Sequence, residues 1–432
     1  MPCRPPVRPG TPRYDRGVSA GELRTGVQRL VTDPTLADLG PRVGLLTNHT
    51  GVLPDLSRNV EALLRAGVHV VALFGPEHGL WGTAPAGHSE STSLDSATGL
   101  PVIDIYGRQG DDLARRLAAQ RLSHLVVDLA DVGTRCYTYI WSLFDALVAA
   151  ATLDLPVTVL DRPNPISRLP PEGPGVADSC RSFVGRVNLP IVHGLTPGEL
   201  ARHVNRRDVP KLAGRPASLD VIEMTGWDRD RPLSHPVLPW VPPSPNIPTP
   251  ATAVAYPGIC LVEGTNVSEG RGTTSPLRQI GAGWVDDRLA AALNERALPG
   301  VRWRQVRFAP GYAADPGGAP QPVGHKWSGQ TITGVMLHIT GPDIEPVRTG
   351  VTLLQVLADL YPQFAFLPGV SGRPPFIDLL WGSDVLRTRL TELDYQELLD
   401  ASPAPASPDP SDLLYPTAGR RWPDTLGSPG SQ

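Results

Sequence analysis

The stretch VHVVALFGPEHGLWG, residues 68–82, predicts a buried strand that ends at a polar loop. The apolar run 68–74 is typical of a parallel strand, and the proline that follows ends it because proline cannot donate to a sheet ladder. Glu77 and His78 therefore follow the carboxyl end of a strand, where open α/β sheets bind their ligands. Trp81 adds a flat apolar surface beside them. The alternative is a capping glutamate and a solvated histidine on an ordinary turn.

Similar apolar runs alternate with stretches of helical spacing in the first part of the chain. Strands are predicted at 43–46, 68–74, 102–106, 124–129 and 156–160. Helices are predicted at 56–66, 111–119, from 140 onward, and at 195–205. Thr196 and Glu199 have the spacing of a capping box for the last of these helices. This alternation predicts an α/β fold with a parallel, doubly wound sheet and right-handed crossovers.

Composition and pattern divide the chain into four parts. Residues 1–20, rich in Pro and Arg, are predicted to be a disordered arm, and residues 21–249 to form the sheet domain. Residues 250–400 are predicted to form a smaller α+β domain that closes over the sheet. The Pro- and Ser-rich tail, 401–432, is predicted to be partly disordered. The strands predicted for the second domain are 259–263, 301–308 and 333–340.

Composition excludes several classes of protein. The chain has 432 residues, 41% of them hydrophobic and 19% charged, which is typical of a globular protein of two or three domains. Its formal net charge of −4 gives no indication of nucleic acid as a partner. No apolar run approaches the roughly 20 residues of a membrane-spanning helix, so no membrane association is predicted. The amino terminus shows no secretory signal, which predicts a cytoplasmic protein, with export by another route left open.

The sequence contains no recognisable cofactor motif. Gly264, Gly270 and Gly272 do not form the dinucleotide fingerprint, and no Walker loop or HExxH motif occurs. The four cysteines are far apart and include no CxxC pair. Histidines and aspartates near the strand ends could suit zinc or iron, but histidines in ligand clefts more often hydrogen-bond. We therefore expect no cofactor and no metal, with a metal-dependent hydrolase as an alternative.

Polar residues concentrate at the carboxyl ends of the predicted strands. They are Asn48, His49, Glu77, His78, Tyr106, Asp128, Asp131, Arg135, Tyr137, Asp161, Arg162 and Asn164. Later loops add Glu172, Asn246, Glu263, Asn266, Glu269 and Arg271. Because the strand carboxyl ends meet at one edge of a parallel sheet, a ligand site is predicted there. Structural roles are the alternative for some of these residues: Asp131 and Asp161 as helix caps, and Arg162 as an ion-pair partner of Asp128.

The chemistry of this set suits a sugar that carries a negative charge. Aromatic side chains such as Trp81, Tyr137 and Trp240 can stack on a sugar ring, while amides and carboxylates can hydrogen-bond to its hydroxyl groups. The guanidinium fork of an arginine matches a carboxylate in a bidentate pair. The arginines therefore indicate an anionic substituent on the sugar.

Eight motifs together resemble the NamZ-type exo-β-N-acetylmuramidases. They are TNHTGV (47–52), LFGPEHGLWG (73–82), DVGTRCYTY (131–139), LDRPNPI (160–166), EGP (172–174), LPIVHGLTPGELA (189–201), PWVPPSPNIPT (239–249) and YPGICLVEGTNVSEGRGT (256–273). The resemblance implies a Rossmann-like domain and a smaller carboxyl-terminal domain with the site in the cleft between them. It also implies release of N-acetylmuramic acid from the non-reducing ends of peptidoglycan fragments, without a cofactor. In this family the glutamate of the PEHG motif, here Glu77, is the proposed catalytic residue.

The residues and the resemblance agree, because N-acetylmuramic acid is a sugar with a lactyl carboxylate. We predict that Glu77 is the general acid and that Glu172 or Asp131 is the second catalytic carboxyl group, with Glu263 and Glu269 as the alternatives. The substrate's own acetamido group is a further alternative nucleophile. Arg135 or Arg271 is predicted to bind the lactyl carboxylate. A non-catalytic muropeptide-binding or sensing protein remains the rival to an enzyme, and the sequence specifies neither the anomeric outcome nor the oligomeric state.

Overall fold

The computed structural model describes residues 23–230, 238–311, 326–370 and 372–415. The arm predicted at 1–20 lies outside these ranges, as does the tail from residue 416 onward. The described chain forms a Rossmann-like α/β domain and a smaller domain with an antiparallel sheet, as the sequence predicts.

The first domain is built on a seven-stranded sheet of order β3-β4-β2-β1-β5-β6-β7. Its strands are β1 (Val43–Thr47), β2 (Val70–Gly75), β3 (Ser93–Leu94), β4 (Pro101–Asp104), β5 (His124–Asp128), β6 (Val157–Leu160) and β7 (Leu219–Ile222). All neighbouring strands are parallel except β3 and β4, which are antiparallel. The five predicted strands are present, whereas β3 and β7 are not predicted because each is short and partly exposed.

Helices connect the strands of this sheet. They are α1 (Gly26–Thr32), α2 (Asn59–Arg65), α3 (Gly110–Ala119), α4 (Tyr139–Leu153), α5 (Pro197–Arg207) and α6 (Val209–Ala213). The predicted capping box of α5 is confirmed, because Thr196 Oγ1 accepts from the Glu199 N–H and Glu199 Oε2 accepts from the Thr196 N–H. Helix α4 is buried over almost its whole length, which makes it the central helix of the core.

The second domain contains a three-stranded antiparallel sheet of order β8-β10-β9. Its elements are α7 (Pro250–Ile259), β8 (Gln279–Ala282), α8 (Arg288–Glu295), β9 (Val301–Phe308), β10 (Ile332–Ile339), α9 (Pro346–Leu360), α10 (Phe376–Trp381), α11 (Val385–Arg389) and α12 (Tyr395–Asp400). The strand predicted at 259–263 is wrong, because α7 runs into a 3₁₀ helix at Cys260–Gly264. A short, fully buried apolar run does not show by its periodicity whether it is a strand or a helix.

The two domains share one hydrophobic core. A single cluster of buried apolar residues includes α4 of the first domain and α7 and α9 of the second. The described part of the tail, 401–415, packs against the first domain, where the Tyr415 hydroxyl donates to Asp161 at 2.6 Å. Within the described ranges, no helix has both the length and the apolar character needed to cross a membrane.

Candidate active site

A cavity of about 540 Å³ lies between the two domains, beyond the carboxyl end of β2. Both domains contribute to its wall: Glu77 comes from the first domain and Arg271 from the second. Seven residues predicted from the sequence line it, namely Glu77, His78, Tyr106, Tyr137, Asn246, Glu263 and Arg271. The position agrees with the crevice at strand carboxyl ends where open α/β sheets bind ligands.

Glu77 is fixed in the cavity wall by a donor to each of its carboxylate oxygens. The N–H of Gly87 donates to Oε1 at 2.6 Å, and the hydroxyl of Thr138 forms a short hydrogen bond to Oε2. The side chain is 7% exposed, so its remaining accessible surface faces the cavity. A carboxyl group held in this way has a defined orientation toward a bound molecule.

His78 adopts an unusual backbone conformation next to Glu77. Its φ is +68°, which is uncommon for a residue other than glycine, and the side chain is 4% exposed. The ring Nδ1 lies 2.7 Å from the carbonyl oxygen of Ala84, and the ring packs edge-on against Tyr139 at 6.4 Å between centroids. The next residue, Gly79, also has a positive φ, and a Cβ atom there would lie 2.3 Å from the side chain of Glu90.

Aromatic rings form part of the cavity wall. Tyr137 packs edge-on against Tyr139 at 4.9 Å and against Tyr256 at 6.0 Å, and both Tyr137 and Tyr256 line the cavity. Burial raises the pKa of the Tyr137 hydroxyl well above its ordinary value, so this hydroxyl stays protonated and can donate. Tyr106 and Phe183 form a second edge-on pair at 5.2 Å in the same wall.

A compact group of charges comes from the second domain. Arg271 lies 2.8 Å from Glu263 and 3.2 Å from Glu269, and Lys326 lies 2.9 Å from Glu269. Burial raises the pKa of Glu263, and Arg271 opposes that shift. Burial alone would lower the pKa of Arg271, but the two carboxylates raise it above its ordinary value. Glu263 and Arg271 line the cavity, whereas Glu269 lies behind them and braces the arginine.

Arg135 does not line the cavity. Its guanidinium is fully buried and donates to four backbone carbonyls, those of Pro174, Leu189, Leu380 and Trp381, at 2.6 to 3.0 Å. Burial without a carboxylate partner lowers its pKa from the ordinary value. These bonds join segments of both domains, so the geometry favours a structural role over binding of the lactyl carboxylate.

The two carboxylates predicted to work with Glu77 also lie outside the cavity wall. Glu172 accepts from the backbone N–H groups of Val347 and Arg348 at 3.1 and 2.7 Å, and so caps the amino terminus of α9. Asp131 accepts from the Gly133 N–H at 2.6 Å and lies 3.3 Å from His193. Both carboxylates are used in these structural contacts, and neither lines the cavity.

Three residues predicted after β6 stabilise the sheet domain. Asp161 is fully buried and accepts from Thr196, Gly198 and Tyr415, and burial raises its pKa to about 6. Arg162 forms the ion pair with Asp128 that was the structural alternative, at 2.5 Å. The remaining residue, Asn164, bonds to the backbone at Leu195 and Ile166. None of the three lines the cavity.

Four further predicted residues do not line the cavity. Asn48 accepts from the hydroxyl and the N–H of Thr50, and His49 Nε2 lies 2.7 Å from the carbonyl of Pro242. Trp81 is 47% exposed and stacks on a guanidinium, that of Arg58, with 4.4 Å between the guanidinium carbon and the ring centroid. The last of them, Asn266, bonds to the backbone at Gln363 and Ala365 and so joins two segments of the second domain.

Sequence reasoning missed several residues of the wall, among them Thr138, Gly87, Tyr256 and Phe183. Thr138 lies inside the motif DVGTRCYTY (131–139), and this motif is the sequence signal that could identify its hydroxyl as a partner of Glu77. Gly87 contributes a backbone N–H, for which the sequence carries no signal. Among the described residues, histidine, cysteine, aspartate and glutamate side chains form no group of three or more that could hold a metal ion.

Two solved structures share this architecture. A crystal structure of a DUF1343 family protein from Bacteroides fragilis NCTC 9343 superposes with a TM-score of 0.75 at 32% identity, covering 88% of this chain and 94% of that one. A second DUF1343 family structure from the same organism gives a TM-score of 0.65 at 27% identity, with the same coverage.

Sequence comparisons identify the family. The amino-terminal domain of exo-β-N-acetylmuramidase NamZ matches residues 43–251, and its carboxyl-terminal domain matches residues 254–405. The chain is 38% identical over 373 residues to the peptidoglycan β-N-acetylmuramidase NamZ of Bacillus subtilis strain 168, covering 85% of this chain and 84% of that protein. The chain therefore belongs to the exo-β-N-acetylmuramidase NamZ family.

Proposed function

We propose that this protein is an exo-acting glycoside hydrolase that releases N-acetylmuramic acid from the non-reducing ends of peptidoglycan fragments. Membership of the NamZ family and the relative from Bacillus subtilis support this reaction. The observation that carries it is Glu77, a carboxyl group with both oxygens bonded, in the wall of a cavity between two domains. The cavity also presents tyrosines and an arginine, which suit a sugar with a carboxylate.

In this proposal Glu77 is the general acid that protonates the oxygen of the leaving group. Glycosidases normally use a pair of carboxyl groups that flank the bond they break. Of the carboxyl groups in the described chain, only those of Glu77 and Glu263 line the cavity. Glu263 comes from the other domain and is therefore our candidate for the second group, in place of Glu172 and Asp131.

Arg271 is the candidate partner of the lactyl carboxylate. It lines the cavity, and two of its guanidinium nitrogens face Glu263 and Glu269, which fix its orientation. The third nitrogen, Nη1, makes no hydrogen bond to a described residue and can donate to a ligand. Recognition of this carboxylate would separate N-acetylmuramic acid from N-acetylglucosamine.

The test is hydrolysis by a Glu77→Gln variant. Loss of a positioned acid costs about 10² to 10⁴ in rate, and we expect this loss in kcat on the disaccharide of N-acetylmuramic acid and N-acetylglucosamine. On p-nitrophenyl N-acetylmuraminide the loss should be smaller, because the aryl leaving group needs little protonation. Glu295→Gln, at an exposed glutamate at the end of α8 and outside the cavity wall, serves as the control and should keep the native rate.

Two results would contradict the proposal. If Glu77→Gln hydrolysed the disaccharide at the native rate, Glu77 would not be the acid. If the native protein bound the disaccharide tightly but never hydrolysed it, the protein would be a muropeptide-binding protein and not an enzyme.

A further inference from the structure

The tautomer of His78 follows from its hydrogen bond. A carbonyl oxygen can only accept, so the Nδ1 atom that lies 2.7 Å from the Ala84 carbonyl must carry a proton. In the neutral ring the other nitrogen, Nε2, then has a lone pair and is an acceptor. The edge-on contact with Tyr139 and the positive φ hold the ring in this orientation.

Nε2 is available to a ligand. Nε2 forms no hydrogen bond within the described part of the chain. It is also not one of the fully buried polar atoms without a partner, so it keeps accessible surface. Since His78 lines the cavity and is otherwise buried, the accessible surface of its ring faces that cavity. Strained backbone conformations of this kind persist where the surrounding structure fixes a side chain for function.

We propose that His78 Nε2 accepts a hydrogen bond from the free 4-hydroxyl group of the terminal sugar, and that this contact selects chain ends. The inference rests on the proposed function. In N-acetylmuramic acid O3 carries the lactyl ether and O1 the scissile bond, which leaves the ring 4-hydroxyl and the exocyclic 6-hydroxyl as hydroxyl donors, beside the N–H of the 2-acetamido group. Inside a glycan chain O4 is substituted and has no hydrogen to donate. A site in which Nε2 must accept from the 4-hydroxyl group therefore binds only the sugar at the non-reducing end.

The two neighbouring side chains reach the same cavity from separate surroundings. Glu77 is held by Gly87 and Thr138, whereas His78 is held by Ala84 and Tyr139, so the two side chains have separate surroundings. With Glu77 assigned to the leaving-group oxygen on C1, we assign the separate acceptor, His78 Nε2, to a hydroxyl group away from that bond, and O4 is the one whose substitution distinguishes the interior of a chain from its end.

The test compares p-nitrophenyl N-acetylmuraminide with its 4-deoxy and 6-deoxy analogues. For the native protein we expect kcat/KM to fall roughly 10- to 100-fold with the 4-deoxy analogue, because the bound sugar shields Nε2 from water and leaves this acceptor unpaired. In a His78→Asn variant, kcat/KM for the parent substrate should fall by a similar factor. In this variant kcat/KM for the 4-deoxy analogue should be less than about threefold lower than for the parent substrate. Asparagine tolerates a positive φ and its amide can donate to Ala84, but it has no atom at the position of Nε2.

His49→Asn is the matched control, because His49 lies near the cavity but its Nε2 is bonded to the Pro242 carbonyl. This variant should keep the full 4-deoxy penalty. The inference is overturned if His78→Asn also keeps that penalty, or if the variant removes a 6-deoxy penalty instead. If the native protein does not hydrolyse the parent muraminide at all, the proposed function is wrong. This result is distinct from the results above, which contradict only the role of His78.

A measurement on the native protein covers the case in which the variant does not fold. The imidazole ¹⁵N resonances of His78 should show a protonated Nδ1, and the Nε2 resonance should shift when N-acetylmuramic acid binds but not when its 4-deoxy analogue binds. Equal shifts with both sugars would overturn the inference.

Discussion

Two arginines that sequence patterns cannot tell apart differ in their partners. Arg135 is surrounded by backbone carbonyls that cannot move away from it, so it holds the two domains together. Arg271 has carboxylate partners and an open side toward the cavity. Arg271 is therefore the arginine that the carboxylate of a ligand can reach, whereas Arg135 is occupied by carbonyl groups inside the protein.

Exchange of Arg271 tests this role. Arg271→Lys keeps the positive charge between Glu263 and Glu269 but loses the planar fork, so we expect the preference for the muraminide over the N-acetylglucosaminide to fall by about tenfold or more in kcat/KM. The same exchange at Arg278, which bonds to the Leu337 carbonyl in the second sheet, is the control. An unchanged preference in Arg271→Lys would exclude Arg271 as the lactyl ligand.

At the scale of secondary structure elements, the 3₁₀ helix Cys260–Gly264 determines which carboxylate reaches the cavity. The sequence predicts a strand for this run, and a strand would alternate its side chains between two faces. The helical turn that the chain forms instead buries Cys260, Leu261 and Val262 and turns Glu263 to the cavity. Glu172, by contrast, is used at the start of α9, where a carboxylate satisfies two free N–H groups and complements the helix dipole.

Variants of these two glutamates should therefore behave differently. Glu263→Gln is expected to lower kcat by about 10² to 10⁴, and azide should restore part of the rate if Glu263 is the nucleophile or base. Glu172→Gln is expected to keep kcat/KM within about threefold but to lose about 1 kcal/mol of unfolding free energy, as a weakened helix cap does. The reverse pattern, with activity lost only in Glu172→Gln, would restore the assignment made from the sequence.

At the scale of the whole molecule, the sequence predicted the sheet better than the site. Apolar runs of strand length identify β1, β2, β4, β5 and β6, because burial on both faces leaves a clear signal. Glu77 and His78 follow the end of β2 and line the cavity. Asp131, Asp161 and Arg162 follow strands in the same way, yet the structure uses them in turns, caps and ion pairs. Whether such a residue lines the site or stabilises the fold depends on partners from distant parts of the chain, and no local sequence pattern identifies those partners.

The tail shows most clearly how contacts between distant parts of the chain determine local structure. Residues 401–415 return from the second domain to the first, where Asp412 bonds to His203 and Arg206, and Tyr415 bonds to Asp161. This segment covers the end of α5 and encloses Asp161, and burial raises the pKa of that carboxyl group to about 6. A pattern rich in proline and serine indicates only a loop, since its stability comes from these distant contacts.

The pH dependence of stability tests this enclosure. A carboxyl group with a folded pKa near 6 binds its proton more tightly in the folded than in the unfolded protein, so its contribution is greatest below about pH 4 and is lost as the pH rises toward 6. The stability advantage of the native protein over Asp161→Asn should therefore shrink by about 1–3 kcal/mol between pH 4 and pH 7. Urea unfolding at several pH values measures this difference, and kcat/KM at neutral pH should change little because Asp161 lies outside the cavity wall. An advantage that grows as the pH rises would mean that the carboxylate is stabilised by its hydrogen bonds with Thr196, Gly198 and Tyr415 more than it is destabilised by burial.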